Sequence, residues 1–451
     1  MSTNLTKEFE STSSAAWKQK IQVDLKGADY NDTLLTHTNE GITIKPFYHL
    51  DSFEKLDIPV SKSNVRICQI IRVTSVDKAN SVAIDCLSKG VTALKFMISE
   101  TIEIGELMGG LLNKNIEFHF HFDFLTKNTI LTLSELMKNE TVFYNFDCIG
   151  KLASTGNWHQ SHKEDFSFIQ SLNDLPVSHK LLSVNSSIYQ NAGANMVQQV
   201  AYALAHGAEY IENCGVDFAD KIQFNVAIGG HYFFEIAKIR ALRYLWKLIL
   251  KAYSTSSDVK IFAQPSLRNK TIFDYNVNML RTTTEGMSAL LGGVNTFGNS
   301  AYDILFHEQN EFGERIARNQ LLILKEESNF NQAQFMVTDS YYIESITKQI
   351  AEKALHIFKN IEKSYGFLKQ LKDGTIQRKI KENAQKEQVQ FDNGQLVLLG
   401  TNKFQNPDDK MKKELQKNPF FENKPVKTIV IPIRSKRLAE SIELKRIEDE
   451  T

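Results

Sequence analysis

The sequence predicts an α/β protein built on a (β/α)8 barrel, and three observations carry this. Across residues 65–297, short apolar or β-branched runs alternate with longer segments of helical periodicity, as successive βα units do. Eight such runs can be counted over a span of the usual barrel size. A chain of 451 residues with 42% hydrophobic content can also bury the large core such a barrel needs.

The candidate strands are residues 65–73, 93–98, 116–122, 142–148, 181–185, 222–228, 259–263 and 294–297. The third alternates strictly, with Glu117, His119 and His121 between aromatic or aliphatic neighbours, so its polar face should line the barrel interior or mouth. The clearest helix is 232–253, where Phe233, Ile236, Ala237, Ala241, Tyr244, Leu245 and Leu248 recur at three- and four-residue spacing. Residues 195–212 are nearly as regular, with Gly207 a tolerated weak point.

Ahead of the barrel, residues 6–57 carry few regular patterns and read as an extended arm anchored by Pro46 and several aromatics; residues 1–60 are assigned to it as a partner contact. Beyond the barrel, 311–327 and 342–369 read as long amphipathic helices that brace it, which sets the barrel unit at 61–370. Residues 371–451 are richer in lysine, glutamine and asparagine, with apolar runs at 395–399 and 428–433, and read as a small appendage partly wrapped on the barrel, with a frayed, charged C-terminus.

Composition narrows the function classes. Lysine plus arginine (53) equals aspartate plus glutamate (53), so no net field draws the chain to nucleic acid or an anionic membrane. Cys68, Cys86, Cys148 and Cys214 form no CxxC pair and read as reduced thiols. A polar start over residues 1–10 and the absence of any apolar run approaching a membrane span make the cytoplasm the expected compartment.

Several motifs resemble the methylmalonyl-CoA mutase family. Arg315-Ile316-Ala317-Arg318-Asn319-Gln320, followed by Glu326-Glu327, is similar to the family string R-I-A-R-N-[TQ] and E-E. Residues 232–241 resemble F-F-x-E-I-A-K-x-R-A, and 280–285 resemble L-R-T-T-x-E, with Gly292-Gly293 at the glycine pair before the last strand. Residues 17–30 and 41–48 look like the opening of the family's smaller subunits, which pair with a larger, cobalamin-carrying subunit.

Three departures sharpen this resemblance. The family's Tyr-His pair is represented by Ser187 and Ile188, with Gln190 and Ala192-Gly193-Ala194 fixing the register, and a second pocket histidine is represented by Gly298. A radical rearrangement needs donors that hold the substrate carbonyl, and isoleucine and glycine supply no such side-chain groups. No D-x-H-x-x-G, the family's lower cobalt ligand motif, occurs, so the resemblance implies a chain lacking the flavodoxin-like cobalamin-binding domain. Finally, 337–344 lacks the proline and glycine pair of D-P-x-G-G-S-Y-Y-V-E, which leaves that loop's binding role open.

The resemblance therefore implies a small, non-catalytic subunit of a heterodimeric mutase. Adenosylcobalamin would lie on the large catalytic subunit, which interconverts (R)-methylmalonyl-CoA and succinyl-CoA. Two alternatives stay open: a catalytic chain that receives cobalamin from a separate subunit, and a CoA-ester-binding module without turnover. Positions that could keep contact with a CoA ester or the pocket are Gln190, Arg240, Asn295, Arg318 and Gln320, although for Arg240, Arg318 and Gln320 structural roles are the better reading. His119 and His121 have a spacing zinc could use, but no cysteine or acidic third ligand is evident, and a satisfied pair at the barrel mouth is preferred. The pairs Gly229-Gly230 and Gly292-Gly293 could admit a phosphate, with turn geometry the simpler reason. The lysine-rich stretches 410–417 and 424–436 are interleaved with acids and read as solvated surface.

Overall fold

The computed structural model describes residues 8, 10–60, 64–420 and 427–450. Most of residues 1–10 and the start of the lysine-rich stretch 424–436 lie outside them. Eight parallel strands close into a barrel: β1 (Arg66–Arg72), β2 (Ala93–Ile98), β3 (Glu117–Phe122), β4 (Thr141–Phe146), β5 (His179–Asn185), β6 (Ile222–Ile228), β7 (Lys260–Pro265) and β8 (Thr296–Gly298). Closure is made by β8, which pairs with both β7 and β1. The expected barrel is present, strand for strand.

Boundaries differ where capping chemistry intervenes. The fourth run stops at Phe146 because Asp147 turns the chain, its Oδ1 accepting from the Gly150 backbone N–H at 2.7 Å to cap the helix Cys148–Thr155. Asn195 likewise caps the helix Met196–Cys214 in a capping box, with Gln198 reaching back to the Asn195 N–H. The segment 311–327 is α-helical over Glu311–Leu322 and ends in a π-helical turn, Ile323–Glu327. The segment 342–369 is broken after Tyr341–Lys363, where Tyr365 takes a left-handed φ of 69° before the helix Gly366–Lys372 starts.

The principal core lies between sheet and helices, where Phe96, Phe118, Phe120, Phe224, Phe234 and Trp246 are all buried. Side chains on the other strand face point into the lumen, and many there are polar. Lys95, His119, Asn145, Ser183 and Gln223 are each buried, alongside Cys68 and Phe262.

The arm lies on the chain's own helices. Ile42 is fully buried, Tyr48 packs on Tyr342 and Phe53 on Tyr341 at centroid distances of 5.2 and 4.9 Å, and Asp57 accepts from Lys247. Its first helix, Ser14–Asp24, is different: none of its residues is buried.

The C-terminal region is more ordered than its composition suggests. Thr375–Asp392 is a helix, and Glu440–Asp449 is another, anchored by the fully buried Glu443, which accepts from the Ile272 N–H and pairs with Arg437. Between them, residues 428–438 cross the C-terminal end of the barrel as a strap. Backbone hydrogen bonds tie Ile429 and Val430 to Gly156, Ile433 to Ala153, Lys436 to Asn191 and Leu438 to Arg268. Among the described residues, no helix is long and apolar enough to cross a membrane.

Candidate functional site

Active sites of (β/α)8 barrels form at the C-terminal ends of the strands. At the end of β5 the Ser186 N–H donates to Asn225 O at 2.9 Å, and the short helix Ser187–Asn191 begins. The Ser187 hydroxyl donates locally to Asn185 Oδ1 at 2.5 Å. Ile188 is half-buried and packs against the main core. Neither side chain offers a titratable group to move a proton, and the one donor of the pair, the Ser187 hydroxyl, is turned onto Asn185.

The corner is held from behind by Asp147. Its carboxylate accepts from the Asn185 N–H (2.8 Å), His206 Nε2 (2.9 Å) and Tyr210 OH (2.8 Å), while His206 Nδ1 meets Tyr189 OH at 2.9 Å. Burial pushes the Tyr189 and Tyr210 hydroxyls well above the ordinary phenol range, with the Asp147 charge adding to it. This network serves position, not reactivity. Sequence reading missed it, because its members come from the turn after β4, the end of β5, the short helix that follows and the distant helix Met196–Cys214.

Gly298 ends β8 inside the lumen. A Cβ there would meet Phe262 Cζ at 3.1 Å and Ile70 Cδ1 at 3.2 Å, so the space a larger side chain needs is already filled. Phe262 is itself fixed by neighbours, with Lys95 Nζ 4.4 Å from its ring centre and the His119 ring at 4.9 Å. His119 also stacks on Phe143 at 4.4 Å, and its nearest carboxylate, Glu117, stands 3.6 Å away. Burial lowers His119 below the usual imidazole range and pulls Lys95 down to about 8. His121 points along the same strand face but pairs with Asp123 at 3.5 Å. Among the described residues no group of three metal-ligating side chains converges.

Beside the lumen, above the ends of β5, β6 and β7, lies a cavity of about 600 Å³. Gln190 and the Gly229-Gly230 pair reach it, and it is roofed by the helix Thr375–Asp392 and by arm residues 36–40, in the hairpin that pairs Thr36–His37 with Thr43–Ile44. Beneath it is an ion pair buried at both ends, Lys238 with Glu235 at 2.5 Å, whose ammonium also donates to Gln190, Gln199 and Ala227 O. A second such pair, Lys270 with Glu285 at 2.8 Å, lies close by. Burial shifts both of its members toward neutrality, Lys270 down and Glu285 up. Arg268 bonds Glu387 at 2.6 Å and Lys436 O at 2.7 Å, which joins this wall to the strap.

The remaining positions from the sequence lie elsewhere. Arg240 pairs with Glu344 between two helices. Asn295 accepts from Arg243 and from the Ile261 N–H, Arg318 bonds Gln69 and Cys86, and Gln320 ties its helix to Met279, Thr282 and Thr283. Of the five, Gln190 alone lines the cavity. Gly292 and Gly293 serve packing and helix termination, Gly293 with a φ of 83° and a Cβ at Gly292 meeting Ile239 at 3.0 Å.

Comparison with known proteins decides the family. Residues 146–443 match the methylmalonyl-CoA mutase family. The methylmalonyl-CoA mutase small subunit of Porphyromonas gingivalis is 31% identical over 89% of this chain and 71% of its own length. The chain belongs to the methylmalonyl-CoA mutase family. The methylmalonyl-CoA mutase of Escherichia coli is 36% identical over 49% of this chain, and the large subunit of the Porphyromonas gingivalis mutase 32% identical over 51%. The chain spans about a third of the length of each of these last two relatives. In this family member, Ile188 follows β5 and Gly298 ends β8.

Proposed function

We propose that this chain is the small, non-catalytic subunit of a heterodimeric, adenosylcobalamin-dependent methylmalonyl-CoA mutase. It would support interconversion of (R)-methylmalonyl-CoA and succinyl-CoA by a larger family member in the cytoplasm. The observation that supports this is the state of the barrel mouth: Ile188 packs against the core, and a Cβ at Gly298 would crowd Phe262 and Ile70.

The residues at this mouth do not fit a corrinoid on this chain. These 451 residues contain no D-x-H-x-x-G to supply the lower ligand, and the strap 428–438 is hydrogen-bonded to the segments that follow β4, β5 and β7. The subunit's part would then be surface: a folded barrel offering a large, permanent hetero-interface.

The test is co-purification. Co-expressed with a larger family member containing D-x-H-x-x-G, the chain should elute one-to-one with it, and the pair should turn over methylmalonyl-CoA while this chain alone does not. Succinyl-CoA formation by the isolated chain with adenosylcobalamin refutes the assignment.

A further inference from the structure

The cavity of about 600 Å³ above the ends of β5, β6 and β7 is large enough for a small molecule, and neither the barrel mouth nor the subunit role uses it. Most of its charges are matched within the protein. Glu235 holds Lys238 and, from the first turn of the helix Tyr232–Ala252, accepts from the Gly229 N–H, so the positive end of that helix already faces a carboxylate. Glu387 holds Arg268. An anionic ligand would have to break one of these pairs, and Glu40 is the one carboxylate of the lining left without a partner among the described residues.

What remains is hydrogen-bonding capacity of both signs. Arg268 and Gln190 are each 6% exposed. Arg268 uses Nε on Glu387 and Nη1 on Lys436 O, and Gln190 uses Oε1 on Lys238, which leaves Arg268 Nη2 and Gln190 Nε2 without hydrogen-bond partners among the described residues. Neither atom is enclosed, and both residues line the cavity, so these are donors a ligand can reach. Glu387 Oε1 and the Glu40 carboxylate are unenclosed acceptors on the same lining. Another part of the lining is apolar, formed by residues 396–398 and by Leu438 of the strap. A hydroxyl group both donates and accepts, and a sugar or cyclitol carries several hydroxyls beside a C–H face. We propose that this cavity binds a neutral polyol of monosaccharide size, with its hydroxyls on Gln190, Arg268, Glu387 and Glu40 and its C–H face on the apolar part of the lining. Bound there, it joins arm, barrel and strap, since residues 36–40, Gln190 and Leu438 share the one lining.

Polyols stabilise folded proteins by being excluded from their surface, so a thermal shift does not report this site. Saturation-transfer difference NMR on the full chain does, with D-glucose, D-ribose and myo-inositol as probes and acetate, L-alanine and N-methylacetamide as anionic, zwitterionic and amide comparators. We expect saturable transfer to at least one polyol and weaker binding of all three comparators. Gln190→Leu should weaken the bound polyol roughly fivefold through loss of a neutral donor, and Glu40→Leu roughly tenfold through loss of a charged acceptor. Lys238 keeps Glu235, Gln199 and Ala227 O when Gln190 is replaced. Glu40 makes no hydrogen bond or ion pair among the described residues, so Glu40→Leu decides if Gln190→Leu does not fold. No saturable transfer to any of the three polyols, binding of any comparator as tight as theirs, or unchanged polyol affinity in Glu40→Leu overturns the proposal.

Discussion

Replacing Gly298 tests directly whether the barrel lumen has been closed. An added Cβ lies 3.1 Å from Phe262 Cζ, 3.2 Å from Ile70 Cδ1 and 3.4 Å from Ile70 Cγ1. Phe262 has little freedom to retreat, being in contact with Lys95 and His119, and interiors packed to crystal density transmit such strain instead of absorbing it. Overpacking of this kind costs about 1–3 kcal/mol. Against it stands a gain of about 0.4–1 kcal/mol from the stiffer unfolded chain when glycine becomes alanine. Gly298→Ala should therefore lose about 0–2.6 kcal/mol, the difference of those two ranges. Gly298→His, which must place a whole imidazole there, should lose more than about 3 kcal/mol or fail to fold. Urea unfolding monitored by circular dichroism measures both. Pairing Gly298→Ala with Phe262→Leu removes the closest atom, so the double variant should be more stable than the sum of the singles predicts, by about 1 kcal/mol. If Gly298→His folded with undiminished stability, the lumen would have room for a ligand, and the closed-mouth reading would fail.

Other expectations follow from the same geometry. Ser187→Tyr combined with Ile188→His should yield no succinyl-CoA with adenosylcobalamin, since the second position at Gly298 and the strap are unchanged; turnover in a coupled assay would refute this. Deleting residues up to Asp24 should leave the melting temperature nearly unchanged but weaken complex formation, while deletion through Asp57 should destabilise the barrel by several kcal/mol, on the order of two buried aromatic or aliphatic side chains, because Tyr30, Ile42, Tyr48 and Phe53 leave their contacts. Lys270→Met alone should cost about 3–5 kcal/mol by stranding Glu285, whereas Lys270→Met with Glu285→Leu should be close to neutral; equal losses would show that the pair acts differently. Burial, reinforced by Glu209 and Glu212, raises the Glu362 carboxyl to about 7. Its folded pKa lies above the unfolded one, so the penalty is absent below about 4.5, grows as pH rises and is complete above about 7. Glu362→Gln should therefore stabilise the chain at pH 8 and not at pH 4, and a pH-independent difference in melting temperature would contradict the assignment.

The barrel was legible because its signal is local. Each strand is a short apolar run and each helix a 3.6-residue period, and β2 and β6 were bounded to the residue by their sequences. Boundaries failed where a single polar side chain decides them, as at Asp147, or where one residue such as Tyr365 adopts a left-handed backbone. At the site, Ser187, Ile188 and Gly298 could be read from motif register. What fills Gly298 could not, since Phe262 and Ile70 meet it only across a closed lumen. The buried pairs were half-visible: Glu235 and Lys238 stand three residues apart on one helix, but Lys270 and Glu285 are brought together by tertiary structure. The strap was the least legible element. Its apolar residues lack periodicity, and the backbone groups it pairs with lie far away in the sequence.

That strap sets an order of events in the cell. Gly156 accepts from Ile429 and Val430, Asn191 from Lys436 and Arg268 from Leu438, contacts that span well over a hundred residues of chain. Chains leave the ribosome from the N-terminus, and long-range contacts of this kind form late. The barrel can close while residues 428–438 are still unmade, leaving the sites for Val430, Ile433 and Leu438 as bare apolar recesses at its rim. Until the strap arrives, that rim is the part of the nascent subunit most open to a chaperone, and a chain cut short before residue 428 would keep it open permanently.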